Sequence, residues 1–97
     1  MHYLIVDGML SGTGIRDSVA GGYVVPRELG ISPKLIKQIE QWQKRYEQAH
    51  YAQFNDKDEN ENLDRDGIAI CKRLQGELPH SKIEYFSTAQ MCKIAFT

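Results

Sequence analysis

Ser32-Pro33-Lys34-Leu35-Ile36-Lys37-Gln38-Ile39-Glu40-Gln41-Trp42-Gln43-Lys44-Arg45-Tyr46 is the stretch on which the architecture turns. Ser32-Pro33 is an N-cap and first-turn pair, because the serine oxygen can accept an orphan N–H and proline needs no donor there. Apolar side chains then recur at Leu35, Ile39, Trp42 and Tyr46, steps of four and three that mark one face of a helix. The pattern predicts a helix over about 33–54, with Leu35, Ile36, Ile39, Trp42, Tyr46 and Ala49 inward. Lys37, Glu40, Lys44, Arg45, Glu47 and Gln48 cover most of its wet side.

Immediately downstream the chain turns acidic. Asp56, Asp58, Glu59, Glu61, Asp64 and Asp66 face only Lys57 and Arg65, a local charge of about −4. A second helix is predicted from about 58 to 77, with Leu63, Gly67, Ile70, Cys71 and Leu74 inward. Gly67 costs roughly 1 kcal/mol against alanine in a helix interior, so it either permits close packing or marks a late start.

Outside this pair the signals are shorter. Tyr3-Leu4-Ile5-Val6 is β-rich and apolar on both faces, as a strand inside a sheet requires. Glycines between Asp7 and Gly14 predict a loop, and Gly21–Pro26 a very short extended segment ended by Pro26. Leu78-Pro79-His80-Ser81 stops the second helix, and Lys82–Phe86 alternates as a second strand. Residues 88–96 fit a short helix or a third strand, with the helix favoured. The order predicts one domain over 1–97 of α/β (α+β) class, a small sheet of two or three strands packed on a pair of long helices.

Composition narrows the function. The chain has 97 residues, 41% hydrophobic, enough for a modest core and too apolar for disorder. A net charge of −1 argues against broad nucleic-acid binding. Residues 51–97 carry eight acids against six bases, so a charge-guided partner is expected to be basic there. No apolar run approaches the length needed to cross a bilayer, and Met1–Asp7 lacks the basic region of a signal peptide, so a cytoplasmic protein is expected. Cys71 and Cys92 are read as buried, reduced thiols rather than a secreted framework.

No motif identifies a reaction. Asn62-Leu63-Asp64-Arg65-Asp66-Gly67 resembles the opening of an EF-hand loop, but it starts on Asn and places Arg73 where a bidentate Glu belongs. It reads instead as a solvated acidic helix turn, and no metal or cofactor is expected. Gly12-Thr13-Gly14 follows a strand, yet Asp17 stands at the third glycine of a dinucleotide motif and no Gly-Lys-Ser/Thr follows. His2, His50 and His80 lack ligand spacing, and Glu47–His50 is at most a surface acid/base pair. Of the aromatics, Trp42 and Tyr46 belong to the core. Tyr51 and Phe54 adjoin the acidic run, where aromatic side chains serve as protein–protein anchors.

Gly12-Thr13-Gly14-Ile15-Arg16-Asp17, Gly21-Gly22-Tyr23, Trp42 through Tyr51 and Glu77-Leu78-Pro79 resemble small bacterial proteins that include immunity proteins of contact-dependent growth inhibition. The resemblance implies a non-enzymatic protein that binds and blocks one cognate toxin. Many such toxins are basic nucleases, which an acidic run would cover as a mimic of nucleic acid. The expected partner surface is Tyr51, Phe54, Asp56, Asp58, Glu59, Glu61, Asp64 and Asp66. The alternative is a small enzyme, or an anion- or nucleotide-binding domain using the Gly8–Asp17 loop with His50. The sequence leaves monomer or homodimer undecided.

Overall fold

The computed structural model of the chain describes residues 2–96. Strands β1 (Tyr3–Val6) and β2 (Ile15–Asp17) are followed by a 3-10 turn at Pro26–Leu29 and the helices α1 (Pro33–Tyr51) and α2 (Lys57–Glu77). Strands β3 (Lys82–Ser87) and β4 (Cys92–Ile94) complete the fold. The sheet order is β2-β1-β3-β4, with β1–β3 parallel and both outer pairs antiparallel. This is the expected α+β class, with four strands rather than two or three.

Register explains the layering. Side chains alternate across a pleated sheet. Leu4, Val6, Ile15, Ile83 and Tyr85 face the helices and are buried, while Ile5, Arg16, Glu84, Phe86 and Lys93 share the other face. The helix side of the core is Leu35, Ile39, Trp42, Tyr46 and Ala49 from α1, with Leu63, Ile70, Cys71 and Leu74 from α2. Trp42 and Tyr46 pack edge to face at 5.0 Å between ring centres. The indole N–H of Trp42 donates to Leu63 O at 2.8 Å, so the largest buried ring also locks α1 to α2.

Both helices start as their sequences indicate. Ser32 Oγ accepts the N–H of Leu35 at 3.2 Å, and Asp56 Oδ1 accepts that of Glu59 at 3.1 Å. Glu77, at the far end of α2, accepts both the N–H and the hydroxyl of Ser32 at 2.6 and 2.8 Å. One helix end thereby anchors the other helix's start.

Three expectations are corrected. Helix α1 ends at Tyr51, not near 54, because Gln53 and Phe54 adopt left-handed φ of 56° and 54°. Gln53 N–H reaches back to His50 O at 3.0 Å and Phe54 N–H to Ala49 O at 2.9 Å, the paired bonds of a Schellman turn. Ile15–Asp17, expected as part of the loop region, is a strand whose open edge is closed by the 21–24 segment. There Asp17 N–H donates to Gly22 O, and Val24 N–H to Ile15 O. Residues 88–96, favoured as a helix, instead make a turn with Met91 at φ 54° and then β4.

Gly67 resolves in favour of close packing. A Cβ there would run into the Tyr85 ring, so α2 sits directly on β3 at that point. Gly8 does the same for α1, its bare Cα lying under the Tyr46 ring.

Candidate functional site

The aromatic and acidic residues singled out above converge on the corner between α1 and α2. The Schellman turn reverses the chain, Asp56 caps the next helix, and Asn60 Nδ2 donates to Phe54 O at 2.9 Å. The Phe54 ring stacks edge-on against His50 at 4.9 Å and Tyr46 at 6.1 Å. Each contact removes a degree of freedom, so the corner holds one shape.

On this frame the eight expected residues separate into four groups. Tyr51, at 69% exposure, projects into solvent at the end of α1, and Asp56, Asp58 and Glu61 are exposed at the start of α2. Phe54 is half-buried and serves mainly as the wedge of the corner. Glu59 and Asp66 are engaged by Arg45 of α1, whose guanidinium meets Glu59 at 3.0 Å and Asp66 at 2.7 Å. The hydrogen bonds to Glu59 and then to Asp66 hold the Arg45 pKa above its ordinary value.

Asp64 is not on the surface at all. It is 6% exposed and points inward, accepting from Tyr85 Oη at 2.7 Å, Ser87 Oγ at 2.9 Å, Gln90 Nε2 at 2.9 Å and Tyr46 Oη at 3.4 Å. A buried carboxylate needs such a donor set to replace lost water. Burial raises the pKa values of Tyr46 and Tyr85, keeping both phenols protonated as donors. Asn62–Gly67 lies inside α2, so these residues form no loop around a cation.

The Gly8–Asp17 loop is consumed internally. Asp7, fully buried, pairs with Arg16 at 3.1 Å and accepts from Tyr23 Oη at 3.0 Å and from the Met9 N–H. Desolvation, with Asp7 beside it, pushes the Tyr23 pKa up to about 12. Asp7 N–H is spent on Gly14 O, and Gly12 N–H on Met9 O. The loop leads into β2 rather than directly into a helix, as a phosphate-binding loop would. His50 Nε2 meets Gly8 O at 2.9 Å and, among the described residues, makes no bond to Glu47.

The cysteines differ. Cys71 is buried in the core, where desolvation raises its pKa, whereas Cys92 is exposed on β4, contrary to the expectation that both are covered. No helix among the described residues is long and apolar enough to cross a membrane.

The exposed part of the corner thus carries Tyr51, Asp56, Lys57, Asp58 and Glu61, and among the described residues none of these three carboxylates forms an ion pair. It offers recognition chemistry, with no nucleophile, base and orienting group brought together. Sequence reasoning overlooked the structural role of Asp64. A signal existed in its position one residue after Leu63 and three before Gly67, on the inward side of α2.

No curated protein and no solved structure matches the chain. A family model described as Serratia CdiI immunity protein-like matches residues 12–88, taking in β2, both helices, β3 and the whole α1–α2 corner. The chain belongs to the Serratia CdiI immunity protein-like family.

Proposed function

We propose that the chain neutralises a cognate bacterial toxin in the cytoplasm by covering it with the α1–α2 corner. The observation that carries this reading is the exposed Tyr51 at the end of α1 and the exposed Asp56, Asp58 and Glu61 at the start of α2, joined by a turn fixed from both sides. An aromatic anchor flanked by carboxylates suits a cationic face, such as the nucleic-acid surface of a nuclease toxin. Pre-set geometry limits the ordering cost on binding, and negative charge at the corner, opposite to that of a cationic face, speeds the encounter.

The test uses the toxin encoded by the neighbouring upstream reading frame. Asp56 is left alone because it caps α2. Asp58→Lys with Glu61→Lys is expected to lower affinity about tenfold or more, chiefly through slower association. Tyr51→Ala is expected to act mainly on dissociation. Unaltered affinity in a folded variant rejects the corner as the interface. Failure of the unmodified chain to protect cells from that toxin rejects the immunity function itself.

A further inference from the structure

A groove of about 350 Å3 lies between the 12–13 turn, the 25–27 segment and the Ile36–Lys44 face of α1. Its floor is apolar, formed by Val25, Pro26 and Ile36. Val25 is 47% exposed, and Ile36 is the position of the expected helix stripe that the core leaves half covered. Nearby, Met9, Leu10 and Tyr23 are also exposed, which makes this end of the molecule markedly more apolar at its surface than the corner.

The polar groups around the groove are specific. Arg27 and Lys44 are exposed at its rim, and neither forms an ion pair among the described residues. Glu40 is the one carboxylate of the lining, leaving a formal charge of +1 from two cations and one anion. Gln43 is 8% exposed, and its Nε2 donates to Met9 O at 2.9 Å. A carbonyl can only accept, so the amide orientation is determined, and Oε1, itself shut off from solvent, has no donor among the described residues.

We infer that this groove is a second recognition site, which takes an apolar side chain carried on an extended acidic segment of a protein partner. The side chain covers Val25, Pro26 and Ile36, and flanking carboxylates meet Arg27 and Lys44. The charge preference is opposite to that of the acidic corner. A partner touching both ends would therefore be read twice, by surfaces of opposite sign, and a simple polycation would satisfy only one.

The experiment follows backbone and side-chain amide resonances of the 15N-labelled full chain during titration with the peptide acetyl-Asp-Leu-Asp-amide. Saturable shifts are expected at Gly12, Thr13, Ile36, Lys44 and the Gln43 side-chain amide. Acetyl-Asp-Gly-Asp-amide should bind about tenfold more weakly for want of the apolar anchor. Arg27→Glu with Lys44→Glu, both at exposed positions, should reverse the preference toward acetyl-Lys-Leu-Lys-amide. Equal response to acidic and basic peptides overturns the proposal, as do shifts reproduced by sulfate alone. Concentration-dependent shifts at these residues without peptide would assign the groove to a second copy of the chain and equally overturn it. None of these outcomes bears on the corner, which is tested separately at Asp58 and Glu61.

Discussion

The phenol of Tyr85 donates to the carboxylate of Asp64 at 2.7 Å, joining the central strand β3 to the middle of α2 inside the core. Three further donors complete the shell around Asp64. Asp64→Ala strands the three buried hydroxyls of Tyr46, Tyr85 and Ser87 at once and is expected to cost roughly 3–5 kcal/mol. Asp64→Asn keeps the volume but turns an amide donor toward other donors, at roughly 2–4 kcal/mol. Urea unfolding curves measure both, and a loss no larger than that of the exposed Asp58→Ala would contradict the buried assignment.

Gly67 and Gly76 are both in α2 and should respond oppositely to alanine. At Gly67 a Cβ meets the Tyr85 ring, so overpacking of about 1–3 kcal/mol outweighs the gain in helix propensity. At Gly76 a Cβ would have nothing within 4 Å, so Gly76→Ala is expected to raise stability by about 0.5 kcal/mol. Thermal melts of the two single variants give the signs directly.

These positions also show how far the sequence could be read. The helices were legible because Leu35, Ile39, Trp42 and Tyr46 repeat at helical spacing over many residues, and β1 because Leu4-Ile5-Val6 is apolar throughout. Strand β2 escaped, and β4 ranked behind a helix, because each is three residues long and is defined by its neighbour: Ile15-Arg16-Asp17 by β1, Cys92-Lys93-Ile94 by β3. Asp64 was misplaced because one carboxylate in an acidic run looks like every other. Its burial depends on Tyr46, Tyr85, Ser87 and Gln90, distant in sequence and supplied only by the tertiary fold. For the same reason the Arg45 clasp on Glu59 and Asp66 left fewer exposed charges than the composition implies.

Gln53 holds a left-handed conformation at φ 56° in the Schellman turn, where glycine carries no Cβ penalty. Gln53→Gly is therefore expected to stabilise the chain by about 0.5–1 kcal/mol. A decrease in melting temperature would contradict the turn geometry at the corner.

Glu77 is held below its ordinary pKa of 4.5 by the Ser32 backbone N–H first and the Ser32 hydroxyl second. Its folded pKa is depressed, so its stabilising effect is present above 4.5 and fades as pH falls from there through the folded value. Glu77→Gln should flatten the stability profile in that acidic window. An unchanged slope between the two proteins would sever the link between the end of α2 and the start of α1.

The thiols should react at very different rates. Cys92 is exposed and Cys71 is buried with a raised pKa, so a maleimide should modify one site in the native chain and two after unfolding. Rapid native labelling of Cys71 would show that the core opens at α2.

The parallel pairing of β1 with β3, Tyr3 opposite Lys82 through Val6 opposite Tyr85, sets a schedule for biosynthesis. The first strand emerges from the ribosome long before the strand it must lie beside. Until Lys82–Ser87 follows, Leu4 and Val6 have no lateral partner on that side, and Asp64 lacks Tyr85 and Ser87. The helical pair can collapse early, but the tethered nascent chain cannot finish folding. Ribosome stalling once the α1–α2 corner has emerged but before Lys82–Ser87 follows would therefore leave a polypeptide that already displays the acidic corner on an unfinished body.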